Sequence, residues 1–255
     1  MDVTDIVLLL AAGFAASVVN ALAGGGSLIT FPTLVAIGLP PVPANVTNSL
    51  GVSPGYVASV VGSRSDLADL ARRRPLLPLL PTAIVGTAIG CALLLGTPER
   101  TFEIVVPFLV LGATMVLAFQ QRLRGMVGHP RDLSVRRRTV TLHGVVLLAS
   151  VYGGYFGAAL GVMLVAALGL VLDESLRHVT ALKNAISAVC GLTTVVAFAL
   201  FGPVDWVAVA VLVPATMAGG YAGARLVTRL PATVLRVLIV AVGSVVGVVL
   251  LIRAL

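Results

Sequence analysis

Charged residues are absent from most of this chain of 255 residues, and that absence constrains the fold more than any other feature. No Asp, Glu, Lys or Arg occurs in six stretches, at 6–63, 75–98, 104–121, 139–172, 184–204 and 206–224. A bilayer core needs about 20 apolar helical residues, and every backbone N–H and C=O inside it must be hydrogen-bonded. The stretches lack the two-residue alternation of barrel strands, so they predict membrane-spanning helices.

The composition excludes a soluble enzyme, because 58% hydrophobic and 11% charged residues leave too few polar side chains to cover a water-soluble globule. The net charge of +7 does not indicate nucleic-acid binding, since Lys and Arg at the ends of apolar runs are what membrane orientation requires. Cys91 and Cys190 form no CxxC pair and predict neither a disulfide nor a metal site. No catalytic motif such as HExxH or GxSxG occurs, so we expect no enzyme activity and no cofactor.

Glycine and proline clusters divide these stretches into ten helical segments, of which the second and seventh are short. The segments lie near 5–22, 26–38, 44–62, 76–96, 102–120, 139–156, 160–172, 177–201, 205–224 and 233–252. A shift of 133 residues superposes the P-x4-G-x3-G motif at Pro81 on that at Pro214, and a shift of 136 superposes Asn48 on Asn184. These matches predict two repeats, residues 1–121 and 139–255, joined by a basic cytoplasmic linker at 122–138.

The basic residues predict the orientation of the chain. If the loop at 64–74 is cytoplasmic, alternation places 15 of the 17 basic residues on that side and leaves only Arg100 and Arg253 opposite. Both termini are then extracytoplasmic, and the second half begins on the opposite face from the first. The expected fold is an all-α polytopic membrane protein with two inverted repeats of five segments, in which segments two and seven are broken or re-entrant.

The interrupted segments carry the candidate site, because a broken helix offers N–H groups and a positive dipole end that glycine lets an anion approach. If Ser175 caps the eighth segment, Lys183 lies about 12 Å along it. A lysine at the bilayer centre costs roughly 2.5–3.5 kcal/mol, so it should face a cavity or an anion. The predicted substrate-binding residues are Asn20, Gly24, Gly25, Gly26, Ser27, Asn48 and Ser49 from the first half, and Gly157, Gly161, Lys183, Asn184 and Ser187 from the second.

Each of these features also has a purely structural interpretation. One alternative places Lys183 a turn shallower, where it snorkels to the lipid headgroups. The asparagines are equally typical of helix–helix hydrogen bonds, worth about 0.6 kcal/mol on average. The GxxxG pairs at 86/90, 219/223 and 243/247 favour packing, whereas three consecutive glycines at 24–26 weaken a helix beyond what contact requires and favour a ligand site. Tyr152 and Tyr155 are typical of interface anchors.

Motifs in both halves resemble one known family. They are NALAGGGS at 20–27, FPTL at 31–34, GLPP at 38–41, ANVTNS at 44–49, YGGYFGAALG at 152–161, ALKN at 181–184 and FGPVDW at 201–206. Together they resemble the TauE/SafE family of sulfite and sulfonate permeases over nearly the whole chain. The resemblance implies a bacterial inner-membrane protein that moves small sulfur-containing or carboxylated anions such as sulfite, sulfoacetate or other organosulfonates. The second half departs from the family by having Gly157-Ala158-Ala159 where a glycine triplet is typical.

These features predict a secondary transporter of a small anion that works by alternating access in the cytoplasmic membrane. A cytoplasm-negative potential favours export by about 2.3 kcal/mol per charge per 100 mV, and no acidic residue lies inside an apolar run, so export or uniport is favoured. Proton- or sodium-coupled uptake is an alternative, as is a non-transporting membrane scaffold or an embedded enzyme. The expected partners are the anionic substrate and membrane lipid, with no nucleic acid, and a homodimer is left open.

Overall fold

The structure is a computed structural model that describes residues 1–22, 24–73, 76–119, 122, 135–172, 174–226 and 232–254. These residues form eleven helices and no strand. The helices are α1 Val3–Leu22, α2 Ser27–Ala36, α3 Pro41–Gly62, α4 Arg64–Arg73, α5 Leu79–Gly96, α6 Glu99–Ala118, α7 Val135–Tyr155, α8 Leu160–Val171, α9 Leu176–Phe201, α10 Trp206–Leu226 and α11 Ala232–Ala254. Each of the ten predicted segments overlaps one of these helices, which confirms the all-α fold.

Four of the described helices are long and apolar enough to cross a bilayer by length and composition alone. They cover Val3–Ala21, Leu79–Gly96, Leu176–Phe201 and Trp206–Arg225. The two predicted short segments are also present, since α2 has 10 residues and α8 has 12. At 1.5 Å per residue these helices are about 15 and 18 Å long, roughly half of the hydrocarbon thickness. The division into inverted repeats stays a prediction, and most of the linker at 122–138 lies outside the described residues.

The helix α4 is the one described helix that the sequence analysis did not predict. It follows α3 directly and buries Leu70. Asp69 on this helix pairs with Arg72 at 3.3 Å, with Arg73 at 3.0 Å and with His178 at 3.0 Å, and His178 also contacts Glu174 at 3.0 Å. Partial desolvation raises the pKa of the Asp69 carboxyl, but the neighbouring Arg73, Arg72 and His178 together outweigh it and hold that pKa below its usual value. These contacts fasten α4 to the start of α9.

Close helix contacts through glycine hold the bundle together. The helix α10 packs on α1, and α5 packs on α7. A Cβ on Gly219 would lie 2.3 Å from the backbone oxygen of Phe14 in α1, and a Cβ on Gly90 would lie 2.0 Å from that of Val151 in α7. The packing role predicted for the GxxxG pairs is confirmed. Their other members contact a neighbouring helix in the same way: Gly86 on α7, Gly223 on α1, and Gly243 and Gly247 on α6.

Basic side chains of several helices meet at one end of the bundle, which we call the basic end. Arg177 at the start of α9 and Arg225 near the end of α10 line one pocket together with Asp66 of α4. Arg138 at the start of α7 lines another pocket beside Leu70 of the same helix α4. Helix α4 therefore lies at the same end of the bundle as Arg138, Arg177 and Arg225, while the orientation of this end in the membrane stays a prediction.

Candidate functional site

The two breaks in the helical segments are in direct contact. A Cβ on Gly24 would lie 2.3 Å from Cα of Gly161, and a Cβ on Gly161 would lie 2.5 Å from Cα of Gly24. The backbone oxygen of Gly24 accepts a hydrogen bond from Val162 N at 3.3 Å. Gly24 has φ +83°, a left-handed conformation that favours glycine. Only a residue without a side chain fits either position, so the first break is built against the second.

The first break is shaped by Asn20, near the end of α1. Asn20 Oδ1 accepts a hydrogen bond from Gly26 N at 2.6 Å, and a Cβ on Gly26 would lie 2.0 Å from Ala16 O. Gly25 is also buried, and its carbonyl accepts a hydrogen bond from Leu28 N at 3.1 Å in the first turn of α2. Nδ2 of Asn20 is buried and has no partner among the described residues. The break is therefore held by a side-chain acceptor and retains one amide donor.

The second break has a different local solution. Gly157 has φ +73°, and Ala159, which caps α8, has φ +58°. The hydroxyl of Tyr152 donates to Ala158 O at 2.6 Å and fastens this turn to α7. Tyr152 was expected to anchor the membrane interface, and nothing in the sequence indicated that it contacts the second break. An alanine thus stands in a left-handed conformation where the resemblance leads one to expect glycine.

We expect Ala159→Gly to stabilise the protein by about 0.5–1 kcal/mol. A left-handed conformation costs a residue with a Cβ roughly 1–2 kcal/mol, and the greater freedom of glycine in the unfolded chain offsets part of the gain. The measurement is the unfolding free energy or thermal midpoint of the purified protein in one detergent. Ala158→Gly, in the adjacent position where no positive φ occurs, is the matched control and should not stabilise. Equal effects of the two changes would contradict the prediction.

Lys183 reaches the contact between the breaks. Its side chain is 1% exposed, and Nζ donates to Asn20 O at 2.6 Å and to Ala21 O at 3.3 Å. The predicted cap of α9 is confirmed, since Ser175 Oγ accepts from His178 N at 3.3 Å. The ammonium thus lies at the C-terminal end of α1, where the helix dipole favours a positive charge. The snorkelling alternative does not hold, because the side chain is buried in the protein.

A small polar cavity, which we call the central cavity, lies beside the breaks. Its free volume is about 20 Å³, room for roughly one water molecule. Five of the predicted site residues line it: Ser27, Asn48, Ser49, Gly157 and Ser187. Gly24 and Gly161 form the contact described above, and Lys183 lies one turn from Ser187 on α9. Asn184 instead lines the polar pocket at the basic end, where its Nδ2 donates to Ser63 Oγ at 3.3 Å.

Four further polar side chains of the central cavity were missed from the sequence. They are Ser53, Tyr56, Cys190 and Thr194. Their spacing gives the signal that was available: Ser53 and Tyr56 follow Ser49 by four and seven residues, and Thr194 follows Ser187 by seven, so each set shares a helix face. Ser53 Oγ lies 2.5 Å from Ser49 O in its own helix and 3.1 Å from Gly191 O, so it joins α3 to α9. Both faces meet at the cavity.

The polar groups of the central cavity are ordered by hydrogen bonds. The hydroxyl of Thr30 donates to Oδ1 of Asn48. The hydroxyl of Ser49 donates to Asn45 O at 2.9 Å. Among the described residues, those that line this cavity are all uncharged. In the described part of the chain no three His, Cys, Asp or Glu side chains come together as a metal site.

Several known proteins with related sequences are named as probable membrane transporters. A "Probable membrane transporter protein" of Haemophilus influenzae is 27% identical over 238 residues, which cover 92% of this chain and 90% of that protein. A "Probable membrane transporter protein YfcA" of Escherichia coli K12 is 27% identical over 237 residues, 90% of this chain and 83% of its own length. A similar protein of Sinorhizobium sp., "Probable membrane transporter protein ORF9", is 27% identical over 161 residues, 61% of this chain and 58% of its own. No solved structure matches the chain significantly.

The apolar helices, the paired breaks and these relatives define a membrane transporter. Residues 9–250 match the sequence profile described as "Sulfite exporter TauE/SafE". The chain belongs to the sulfite exporter TauE/SafE family, as the resemblance of its motifs implied.

Proposed function

We propose that this protein is a secondary transporter of the cytoplasmic membrane that moves a small anion, sulfite, sulfoacetate or a related organosulfonate, by alternating access. The observation that carries the proposal is the polar central cavity beside two helix breaks that contact each other at Gly24 and Gly161. Helix packing supports inverted repeats, because α1 packs on α10 while α5, the counterpart of α10, packs on α7, the counterpart of α1. A site between two such halves is accessible in turn from either side when they rock against each other.

The small size of the central cavity indicates that the structure describes a closed state of the transport cycle. A volume of about 20 Å³ holds roughly one water molecule and is too small for sulfite or a sulfonate. Transport therefore requires the cavity to widen, and the contact between Gly24 and Gly161 is the natural place for the halves to shift. Ser49 on α3 and Ser187 on α9 lie on faces that separate when the halves move apart.

Binding of the anion is assigned to hydroxyl and amide donors. Because Thr30 occupies Oδ1 of Asn48, the Nδ2 group of that amide is the donor available to the cavity. Ser27 begins α2, so its hydroxyl lies at the positive end of a short helix dipole. The ammonium of Lys183, one helical turn from Ser187, adds a positive charge behind this wall. Together these groups favour an oxyanion over a cation.

Export or uniport is favoured over coupled uptake. The described residues that line the central cavity include no carboxylate to carry a proton, and a cytoplasm-negative potential favours export by about 2.3 kcal/mol per charge per 100 mV. The arginines gathered at the basic end support the assignment of that end to the cytoplasm. Both termini are then extracytoplasmic.

Cys190 offers a direct test, because the chain has only two cysteines and Cys190 lines the central cavity. In a Cys91→Ser background, modification of Cys190 with a sulfonate-bearing methanethiosulfonate reagent is expected to abolish sulfite or sulfoacetate flux into proteoliposomes. Sulfoacetate at saturating concentration should slow the modification several-fold, because ligand and reagent compete for one space. The control is Cys190→Ser with Cys91 retained, whose flux the reagent should leave unchanged.

Full modification of Cys190 with undiminished flux would show that the cavity is not the transport path. Flux measured with and without imposed proton and sodium gradients separates uniport from coupled uptake. Turnover of the anion without flux would support the embedded-enzyme alternative. Neither turnover nor flux would support the scaffold alternative.

A further inference from the structure

A second polar pocket lies at the basic end of the bundle, apart from the central cavity. Its volume is about 230 Å³, and it lies between the starts of α4 and α9 and the ends of α3 and α10. Polar residues supply most of its wall: Ser63, Asp66, Arg177, Thr180, Asn184 and Arg225. We call this space the basic-end pocket. It is wide enough for a small organic anion, whereas the central cavity is not.

The floor of the basic-end pocket holds a buried polar group that lacks a partner. Asn184 is 1% exposed, and its Nδ2 donates to Ser63 Oγ at 3.3 Å. The Ser63 hydroxyl uses its own proton on Ser59 O at 2.8 Å, so it cannot donate to Asn184. Oδ1 of Asn184 therefore remains a buried acceptor without a partner among the described residues. Buried acceptors are nearly always hydrogen-bonded, so this atom points to a ligand that carries a donor.

The charges of the basic-end pocket indicate the charge of that ligand. Two guanidinium groups and the Asp66 carboxylate leave one net positive charge at the rim. The guanidinium of Arg225 lies 4.5 Å from the centre of the Tyr221 ring, which holds it in place. Within the described ranges no carboxylate forms an ion pair with Arg177 or Arg225. One net positive charge matches a singly charged anion better than a doubly charged one.

The basic-end pocket is close to the central cavity along α9. Asn184 lines the former and Ser187 lines the latter, one helical turn or about 5 Å apart. We propose that the basic-end pocket is a second binding site, which takes a singly charged organic oxyanion carrying a hydroxyl or similar donor. Its anionic group pairs with Arg177 and Arg225, and its donor binds Oδ1 of Asn184. The role of this site in loading the central cavity rests on the proposed transport function, whereas the binding itself does not.

Equilibrium binding of labelled isethionate to the full chain in detergent tests the proposal. Cys190 is first modified in the Cys91→Ser background, so that only binding outside the central cavity is measured. The double change Arg177→Gln and Arg225→Gln is expected to raise Kd at least about tenfold, since charge-assisted hydrogen bonds are lost. The control is Arg136→Gln with Arg137→Gln, which removes the same charge at the same end from exposed positions outside the pocket and should leave Kd within about twofold.

Ethanesulfonate, which differs from isethionate only by the missing hydroxyl, tests the part played by Asn184. The modified protein should bind isethionate several-fold more tightly, and Asn184→Ala should abolish that preference. No isethionate binding after modification, equal loss in the two arginine pairs, or an unchanged preference in Asn184→Ala would each overturn the proposal. Binding that persists in a protein whose flux survives Cys190 modification would support this site while contradicting the proposed role of the central cavity.

Discussion

Gly24→Ala is expected to lower the free energy of unfolding by roughly 2–5 kcal/mol, enough to prevent accumulation of folded protein. The new Cβ would lie 2.3 Å from Cα of Gly161, and φ at Gly24 is +83°. The left-handed conformation costs about 1–2 kcal/mol, and overpacking adds about 1–3 kcal/mol. Neither term can relax easily, because the atoms in contact are backbone atoms of the opposite break. Unfolding in detergent, followed by circular dichroism, measures the change.

Two other glycines separate the contact from the conformational strain. Gly38 has φ +103°, but a methyl group added at its Cα would meet no atom within 4 Å, so Gly38→Ala carries only the strain of about 1–2 kcal/mol. Gly161→Ala meets Gly24 at 2.5 Å without a positive φ, so it carries only the contact. A Gly24→Ala effect no larger than that of Gly38→Ala would mean that the breaks are not in contact in the folded protein.

Lys183→Met is expected to lower anion flux at least about tenfold and to destabilise the protein. Methionine keeps the length of the side chain but removes the ammonium that donates to Asn20 O and Ala21 O. Hydrogen bonds to charged groups are worth about 1.5–3 kcal/mol, which is the expected order of the loss of stability. The loss of flux follows from removal of the positive charge behind the cavity wall, which favours an anion. Initial rates of sulfite or sulfoacetate flux in proteoliposomes measure the loss, with the amount of folded protein determined in parallel.

The comparison with Lys183→Gln distinguishes the structural role of Lys183 from its charge. Glutamine retains an N–H donor for the carbonyl groups at the end of α1 but carries no charge. We expect Lys183→Gln to recover most of the stability and little of the flux. Lys183→Ala with flux equal to that of the unchanged protein would remove the charge role altogether, and full flux in Lys183→Gln would reduce the role of the side chain to capping α1.

The helices and the positions of their breaks could be predicted because both depend on local chemistry. A charge-free stretch in a bilayer must satisfy its backbone hydrogen bonds within the segment itself, so a run such as 184–204 must form a helix. Three glycines at 24–26 interrupt the helix wherever it lies in the bundle. The helix α4 was missed because its pattern is carried by ionic residues, and a charged loop between spans carries no hydropathy signal.

Which residues come together at the candidate site depended on contacts between residues far apart in the chain. Lys183 was expected at membrane depth, but its bond to Asn20 spans 163 residues and follows from how α9 is rotated against α1. The same rotation turns Ser187 towards the central cavity and Asn184 towards the basic-end pocket, although both belong to one polar segment in the sequence.

The sequence alone determined that the chain forms membrane helices, where they are interrupted, and which end gathers the arginines, because backbone hydrogen bonding, glycine flexibility and the cost of buried charge act within a few residues. Tertiary structure alone decided that Gly24 touches Gly161, that Lys183 caps α1, and that one polar stripe serves two separate spaces. Helix packing sets those features, since the facing side chains and the approach of two backbones are fixed only when the whole bundle assembles.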